Sequence, residues 1–211
     1  MHKINYLVKK FQDGGVNFRN IKTTGNRGYN SDNVGYANEW LDSIPINRRS
    51  AILTAGIEES GMNPRAKGKN GEKGIFQFKE DRYIPHPKGD DNVSDYELLR
   101  WQLQQGLAAM ATQPNKSGNW THGGNGTGIN NAIDAYNAFY NTDATLEDIN
   151  NNLNLGFIRP SGKWESANNR MKVTQQIYNR LEKNQNKPSK SNSNNSNKGF
   201  LEELWDSLTN W

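Results

Sequence analysis

The sequence predicts a mostly α-helical domain with one small β-hairpin, set between a flexible N-terminal arm and a C-terminal tail. Apolar residues recur at three- and four-residue intervals in successive segments from about residue 33 to 183. An Asn-Gly pair in "KNGEKGIFQF" lies between two short runs, which is a hairpin signal. Both ends are polar, and only 33% of the 211 residues are hydrophobic, with a mean hydropathy of −0.99. That is too little apolar material for the whole chain to pack.

Residues 1–32 are Gly- and Asn-rich and weakly periodic, so they read as the arm. The pattern tightens at "YANEWLDSIPINRRSAILTAGIEES". A short helix around Trp40 and Leu41 ends near Ser43, ahead of Pro45. A second runs from about Asn47 to Ser60 and stops at Gly61, a C-terminal cap position. The hairpin follows, then the loop "EDRYIPHPKGDDNV". The spacing Ser94 to Glu97 is a capping box opening a helix with Tyr96, Leu99, Leu103, Leu107 and Met110 at helical intervals. After the Gly-rich "QPNKSGNWTHGGNGTG", helices are predicted in "INNAIDAYNAFYN", "TLEDINNNLNLGF" and "KWESANNRMKVTQQIYNRLEK". In the last, Ala167, Met171, Thr174, Tyr178 and Leu181 share a face. The domain therefore covers residues 33–183. Residues 184–198 are a low-complexity polar linker. Residues 199–211 are expected to form an amphipathic helix with Phe200, Leu201, Leu204, Trp205, Leu208 and Trp211 on one side.

Composition removes several chemistries. Without cysteine there is neither a disulfide framework nor a thiolate nucleophile. His2, His86 and His122 are scattered and have no metal-ligand spacing, so no metal or cofactor is expected. No apolar run approaches the roughly 20 residues of a membrane span. The N-terminus has no continuous apolar stretch of the kind a secretory signal carries. A formal charge of +4 and a pI near 9.2 suit an anionic partner such as a cell-wall polymer. For nucleic acid, composition is the only argument.

The stretch "TAGIEESGMNPRAKGKNGEKGIFQF" holds the candidate chemistry. At about 100° per residue, Ile52, Leu53, Gly56 and Ile57 form the buried stripe of their helix. Glu58 then points about 160° from the stripe and is expected in solvent, while Glu59 lies about 100° away, on its flank. A carboxyl group at the border of a core is partly desolvated, which suits acid chemistry. Glu59 is the candidate acid.

The run from Glu59 through Ala66, "ESGMNPRA", followed by "GIFQ" at Gly74–Gln77, resembles the E-S-x-x-N-P-x-A…G-(L/I)-x-Q signature of the lysozyme-like superfamily. Soluble lytic transglycosylases and phage tail lysozymes share that signature. The phage tail branch is the nearer likeness. "GIFQFKEDR" resembles its G-(I/L)-x-Q-W-x-x-x-R element, with Phe78 where tryptophan is usual and Arg82 in the arginine's place. "LLRWQLQQGLAAM" and "GFIRPSGKWESANNRMKVTQQIY" resemble its later segments. "AYNAF" at 135–139 looks like the transglycosylase A-Y-N-A-G motif, with Phe139 replacing the glycine. The resemblance implies a lysozyme-like α+β domain, catalysis by Glu59, and substrate binding by Ser60, Gln77, Phe78, Tyr136 and Asn137. It implies peptidoglycan glycan strands as substrate. "VKKFQDGGVNF" also looks like the K-(F/Y)-Q-x-G-G leader of structural proteins in crAss-like gut phages, which implies a virion setting.

Glycosidic cleavage needs an acid for the leaving oxygen, and a hydrolase usually needs a second carboxylate. Glu72, Glu80, Asp81 and Asp134 all remain open for that role. A transglycosylase manages with one glutamate, because the substrate's own 6-hydroxyl is a tethered nucleophile. The competing expectation is a non-catalytic virion protein on a lysozyme-like scaffold. The C-terminal helix, with Glu202, Glu203 and Asp206 and no cation, suits a hydrophobic groove on a protein partner better than an anionic membrane.

Overall fold

The computed structural model describes residues 16–112, 114, 120, 132–158 and 163–185. Six α-helices are labelled here in chain order: α1 (Ser31–Trp40), α2 (Ile46–Ser60), α3 (Asp95–Ala111), α4 (Ala132–Tyr140), α5 (Leu146–Asn152) and α6 (Lys163–Gln185). A π-helical turn, Leu153–Ile158, continues α5.

Each helix end has a local cause. Asn30 caps α1 by accepting the N–H groups of Asp32 and Asn33. The reciprocal capping box sits on α5, where Thr145 and Asp148 exchange side-chain and backbone bonds. At α3, Ser94 accepts the Glu97 N–H, but the Glu97 carboxylate turns to Lys88 (3.4 Å) instead. Gly61 ends α2 in the left-handed region at φ 66°. A Cβ there would lie 2.7 Å from the Gly28 carbonyl oxygen, so glycine serves both backbone and packing.

Helix α2 is the centre of the molecule, buried along Arg49–Glu58. It packs most extensively on α6, and also on α5, α1 and the π-helical turn. The core joins Leu53, Ile57, Leu99, Leu103, Phe139, Phe157, Val173 and Ile177. Trp120 is buried beside Phe139, Phe157 and Tyr136, and its Nε1 donates to the Met110 carbonyl (3.0 Å).

The structure corrects the expected architecture. There is no β-strand among the described residues, so the expected α+β domain with a hairpin is replaced by a helical one. The Asn-Gly segment makes only isolated bridges, Lys67 with Lys73 and Lys73 with Phe78. Short-range bonds hold it as a coiled loop: Gly68 N–H to Glu72 O (2.8 Å), Gly74 N–H to Ala66 O (3.0 Å) and Gln77 N–H to Gly74 O (3.1 Å). Residues 16–32, expected as a flexible arm, bury Phe18 and Ile21 in the core and begin α1 at Ser31. The buried face of α6 is Ala167, Arg170, Val173, Thr174, Ile177 and Leu181, while Met171 and Tyr178 are only partly buried. Asn184 and Gln185, expected to open the linker, belong to α6, and the rest of the expected linker and the expected 199–211 helix lie outside the described residues.

Candidate active-site groove

The loop after α2 is built by the same residues that carry the sequence signature. Ser60 Oγ donates to the Gly56 carbonyl (3.1 Å) and accepts the Asn63 N–H (3.2 Å). Asn63 Oδ1 in turn accepts the Arg65 N–H (2.9 Å), an Asx turn. Arg65 clamps the loop onto the start of α3 through Asp95 Oδ1 (2.5 Å) and the Asp90 and Val93 carbonyls. Met62 is fully buried beneath the helix, and its tip fills the space at Gly56. Ser60, expected to bind substrate, is thus turned into the helix end.

Gln102 is the anchor of the next stretch, and sequence reading missed it. It is 5% exposed on the apolar side of α3. Its Oε1 accepts the Ile75 N–H (3.0 Å), and its Nε2 donates to Pro64 O (2.8 Å) and Tyr83 Oη (3.1 Å). The available signal was a glutamine within the Leu99, Leu103, Gly106 stripe. A buried amide needs all its partners, so it fixes the loop at both ends.

These supports open a groove of about 720 Å³ whose lining includes Arg27, Glu59, Glu72, Gln77, Phe78 and Arg82, with Lys69, Lys79, Asp81 and Ile158 further along it. Glu59 reaches it from the end of α2 with its side chain 16% exposed. Gln77 reaches it from a left-handed backbone at φ 50°, unusual for a residue with a Cβ. Such a conformation costs about 1–2 kcal/mol and persists where surroundings fix it. Gln77 Nε2 donates to Gly74 O (2.9 Å), which is part of that fixation. Phe78 packs on Phe157 at 5.9 Å, and the Arg82 guanidinium lies 4.6 Å from one ring centroid and 4.7 Å from the other.

Glu59 Oε1 accepts from Arg170 Nη2 at 2.6 Å, and Arg170 is itself buried. No other hydrogen bond to this carboxylate occurs among the described residues, so Oε2 is available to the groove. Glu58 contradicts its sequence expectation. It is 4% exposed, not solvated, because residues 23–27 cover the outer face of α2. Thr24 N–H donates to its Oε1 (2.8 Å) and Arg27 donates to its carbonyl (3.0 Å).

Of the four acids open for a second role, Glu72 and Asp81 line the groove, while Glu80 and Asp134 do not. Hydrogen bonds from its own N–H, and then from the Asn70 side chain and N–H, hold the Glu72 carboxyl below its ordinary range. Tyr136 and Asn137 are not in the groove wall. Tyr136 packs on Trp120 at 5.8 Å and bonds the Ala111 carbonyl (3.2 Å), and Asn137 is exposed on α4. The apolar neighbours of Tyr136 explain its place: it seats the end of α3, as an aromatic residue with one polar tip commonly does.

No family model matches the chain, and comparison with curated proteins and with solved structures finds none that matches.

Proposed function

We propose that the chain cleaves the glycan backbone of peptidoglycan, with Glu59 as the acid that protonates the leaving oxygen. The observation that carries this reading is the meeting of Glu59 and Gln77 on the wall of one open groove, the two residues that the sequence signature pairs. Glu59 Oε2 would give its proton to the glycosidic oxygen. The anomeric carbon is then taken either by water or by the sugar's own 6-hydroxyl, whose proton returns to a carboxylate. Glu72 and Asp81 are the groove acids for the hydrolytic route. With Glu59 in its proton-bearing form, Arg27, Lys69, Lys79 and Arg82 set four cations against Glu72 and Asp81, a balance of +2 that suits carboxylate-bearing wall strands. Purified sacculi test the reading: wild-type protein should release muropeptides, and mass spectrometry distinguishes anhydro from hydrolysed ends by one water.

A second reading is favoured by the Glu59–Arg170 bond itself, since an ion pair joining α2 to α6 is also a structural tie. On that reading the chain is a non-catalytic virion component. Inert wild-type protein on sacculi would favour it.

The setting we propose is a phage particle, with residues 199–211 docked in a hydrophobic groove of another virion protein. Its support is the sequence pattern, Trp205 and Trp211 on an acidic amphipathic peptide. Among the described residues no helix is long and apolar enough to cross a membrane. Deleting 199–211 should leave cleavage of sacculi unchanged and remove the protein from the particle. Full incorporation of the truncated chain would refute the docking.

A further inference from the structure

A chain of buried polar side chains leads inward from Glu59. Arg170 on α6 donates through Nη2 to Glu59 and through Nη1 to Asn154 Oδ1 (2.9 Å) on the π-helical turn. Asn154 Nδ2 donates to Asn150 O (2.7 Å) and Asn150 Oδ1 (3.1 Å). Asn150 Nδ2 donates to the Ala167 carbonyl (3.1 Å), one turn before Arg170. Thr174 Oγ1 lies within bonding distance of Asn150 Oδ1 (2.9 Å), Thr54 Oγ1 (3.0 Å) and the Arg170 carbonyl (3.1 Å). Asn150, Asn154, Thr54 and Thr174 have no exposed surface at all. The network therefore ties α2, α5, the π-helical turn and α6 to a single carboxylate.

From this geometry we infer that Arg170 is a positioning residue for Glu59, held in one orientation by Asn154. The inference rests on the glycosidase reading above. Its physical basis is a comparison of alternatives. A buried network of this kind is weak evidence for stability, because well-packed apolar side chains of similar size serve that end equally well. What an apolar core does not supply is a fixed direction for one carboxylate oxygen. Arg170 holds Oε1, and its guanidinium plane is fixed in turn by Asn154, so Oε2 has one direction left. The π-helical turn strengthens the argument. Such turns arise often at functional sites, and this one contributes Asn154 to the network and Ile158 to the groove. Arg82 also donates to its Phe157 carbonyl (3.3 Å), so the same turn borders both the network and the groove.

The test uses the full chain on sacculi, with kcat and KM measured separately beside melting temperature. Arg170→Met keeps most of the unbranched stem, is about two atoms shorter and removes both donors. It should lower kcat about 10²-fold, the loss associated with misplacing a reacting group by about 1 Å, with KM little changed. Arg170→Lys, which restores charge without the two-pronged geometry, should recover part of that loss. Asn154→Leu should lower kcat in the same direction although Asn154 does not line the groove. In Glu59→Gln, adding Arg170→Met should cost nothing further, because the group being positioned is already inactive. If Arg170→Met folds and keeps wild-type kcat, or if kcat across the three variants merely follows melting temperature, the positioning role is wrong. If wild-type protein releases no muropeptides, the glycosidase reading fails and takes this inference with it. The two failures are therefore distinct.

Discussion

Glu59 leans on Arg170 at the groove wall, while Glu58, one residue earlier, takes the Thr24 N–H inside a covered face of α2. Substituting each by glutamine should therefore show in different assays. Glu59→Gln should remove about 10²–10⁴ of the cleavage rate on sacculi, the range general acid catalysis supplies, with a melting temperature close to wild type. Glu58→Gln should keep its rate per folded molecule and, since the amide oxygen still accepts the Thr24 N–H, lose no more than about 1 kcal/mol in chemical denaturation. Tyr83 gives a pH signature. Burial first, and then its bond to Asp90 (2.7 Å), push its hydroxyl well above the ordinary 10.0. The neutral form is thus the one the fold favours. Its contribution is complete below pH 10.0 and is lost as pH rises through the folded value. Denaturation curves from pH 9 to 12 should flatten in Tyr83→Phe relative to wild type.

At the scale of elements, the loop from Gly61 to Tyr83 is where sequence and structure part. Its helix stop at Gly61 was legible, because a glycine after a periodic run has one common use. Its hairpin was not there to be read. Asn70-Gly71 does make a turn, but Asn70 gives its N–H to the Glu72 side chain (3.0 Å), and the runs on either side are too short to pair. Beside its short-range bonds the loop is held by Gln102, 27 residues from Ile75 and 38 from Pro64, and no local pattern announces a distant anchor. Gln102→Leu would leave the Ile75 N–H and Pro64 O without their partner, at about 1–3 kcal/mol for the buried unmet groups. Amide exchange should quicken at Ile75 and through the Gln77 turn while α6 stays protected. Gly106 makes a second point about this packing. Alanine is ordinarily the better helix former by about 1 kcal/mol, yet a Cβ at 106 would meet Phe76 Cε2 at 2.4 Å. Gly106→Ala should therefore destabilise by about 1–3 kcal/mol through overpacking, and calorimetry gives the sign directly.

Across the whole molecule, the element order from α1 to α6 was readable, since each helix carries its own periodic stripe and most carry a capping or stop residue. What could not be read was which faces are covered. The helical wheel assumes one buried side and so places Glu58 in solvent, whereas α2 is buried on every side along Arg49–Glu58. The cover is the polar N-terminal segment, whose few apolar residues do the packing. Phe18 is 3% and Ile21 5% exposed, and Tyr29 ties the segment to itself by donating to the Phe18 carbonyl (2.6 Å) and accepting the Ile21 N–H (2.7 Å). Arg180 on α6 adds bonds to the Asn17 (2.8 Å) and Arg19 (2.6 Å) carbonyls. Burying two side chains of this size contributes about 1.5–3 kcal/mol each, a large share of the 5–15 kcal/mol that holds a typical domain together. Deleting residues 1–30 should therefore leave a chain that melts far below wild type or lacks near-ultraviolet circular dichroism, with Glu58 and the outer face of α2 open to water. Deleting only residues 1–15 keeps Phe18, Ile21, Thr24 and Tyr29 and should change the melting temperature much less. A 1–30 deletion that melts together with the 1–15 deletion would mean that the segment lies on the domain without supporting it.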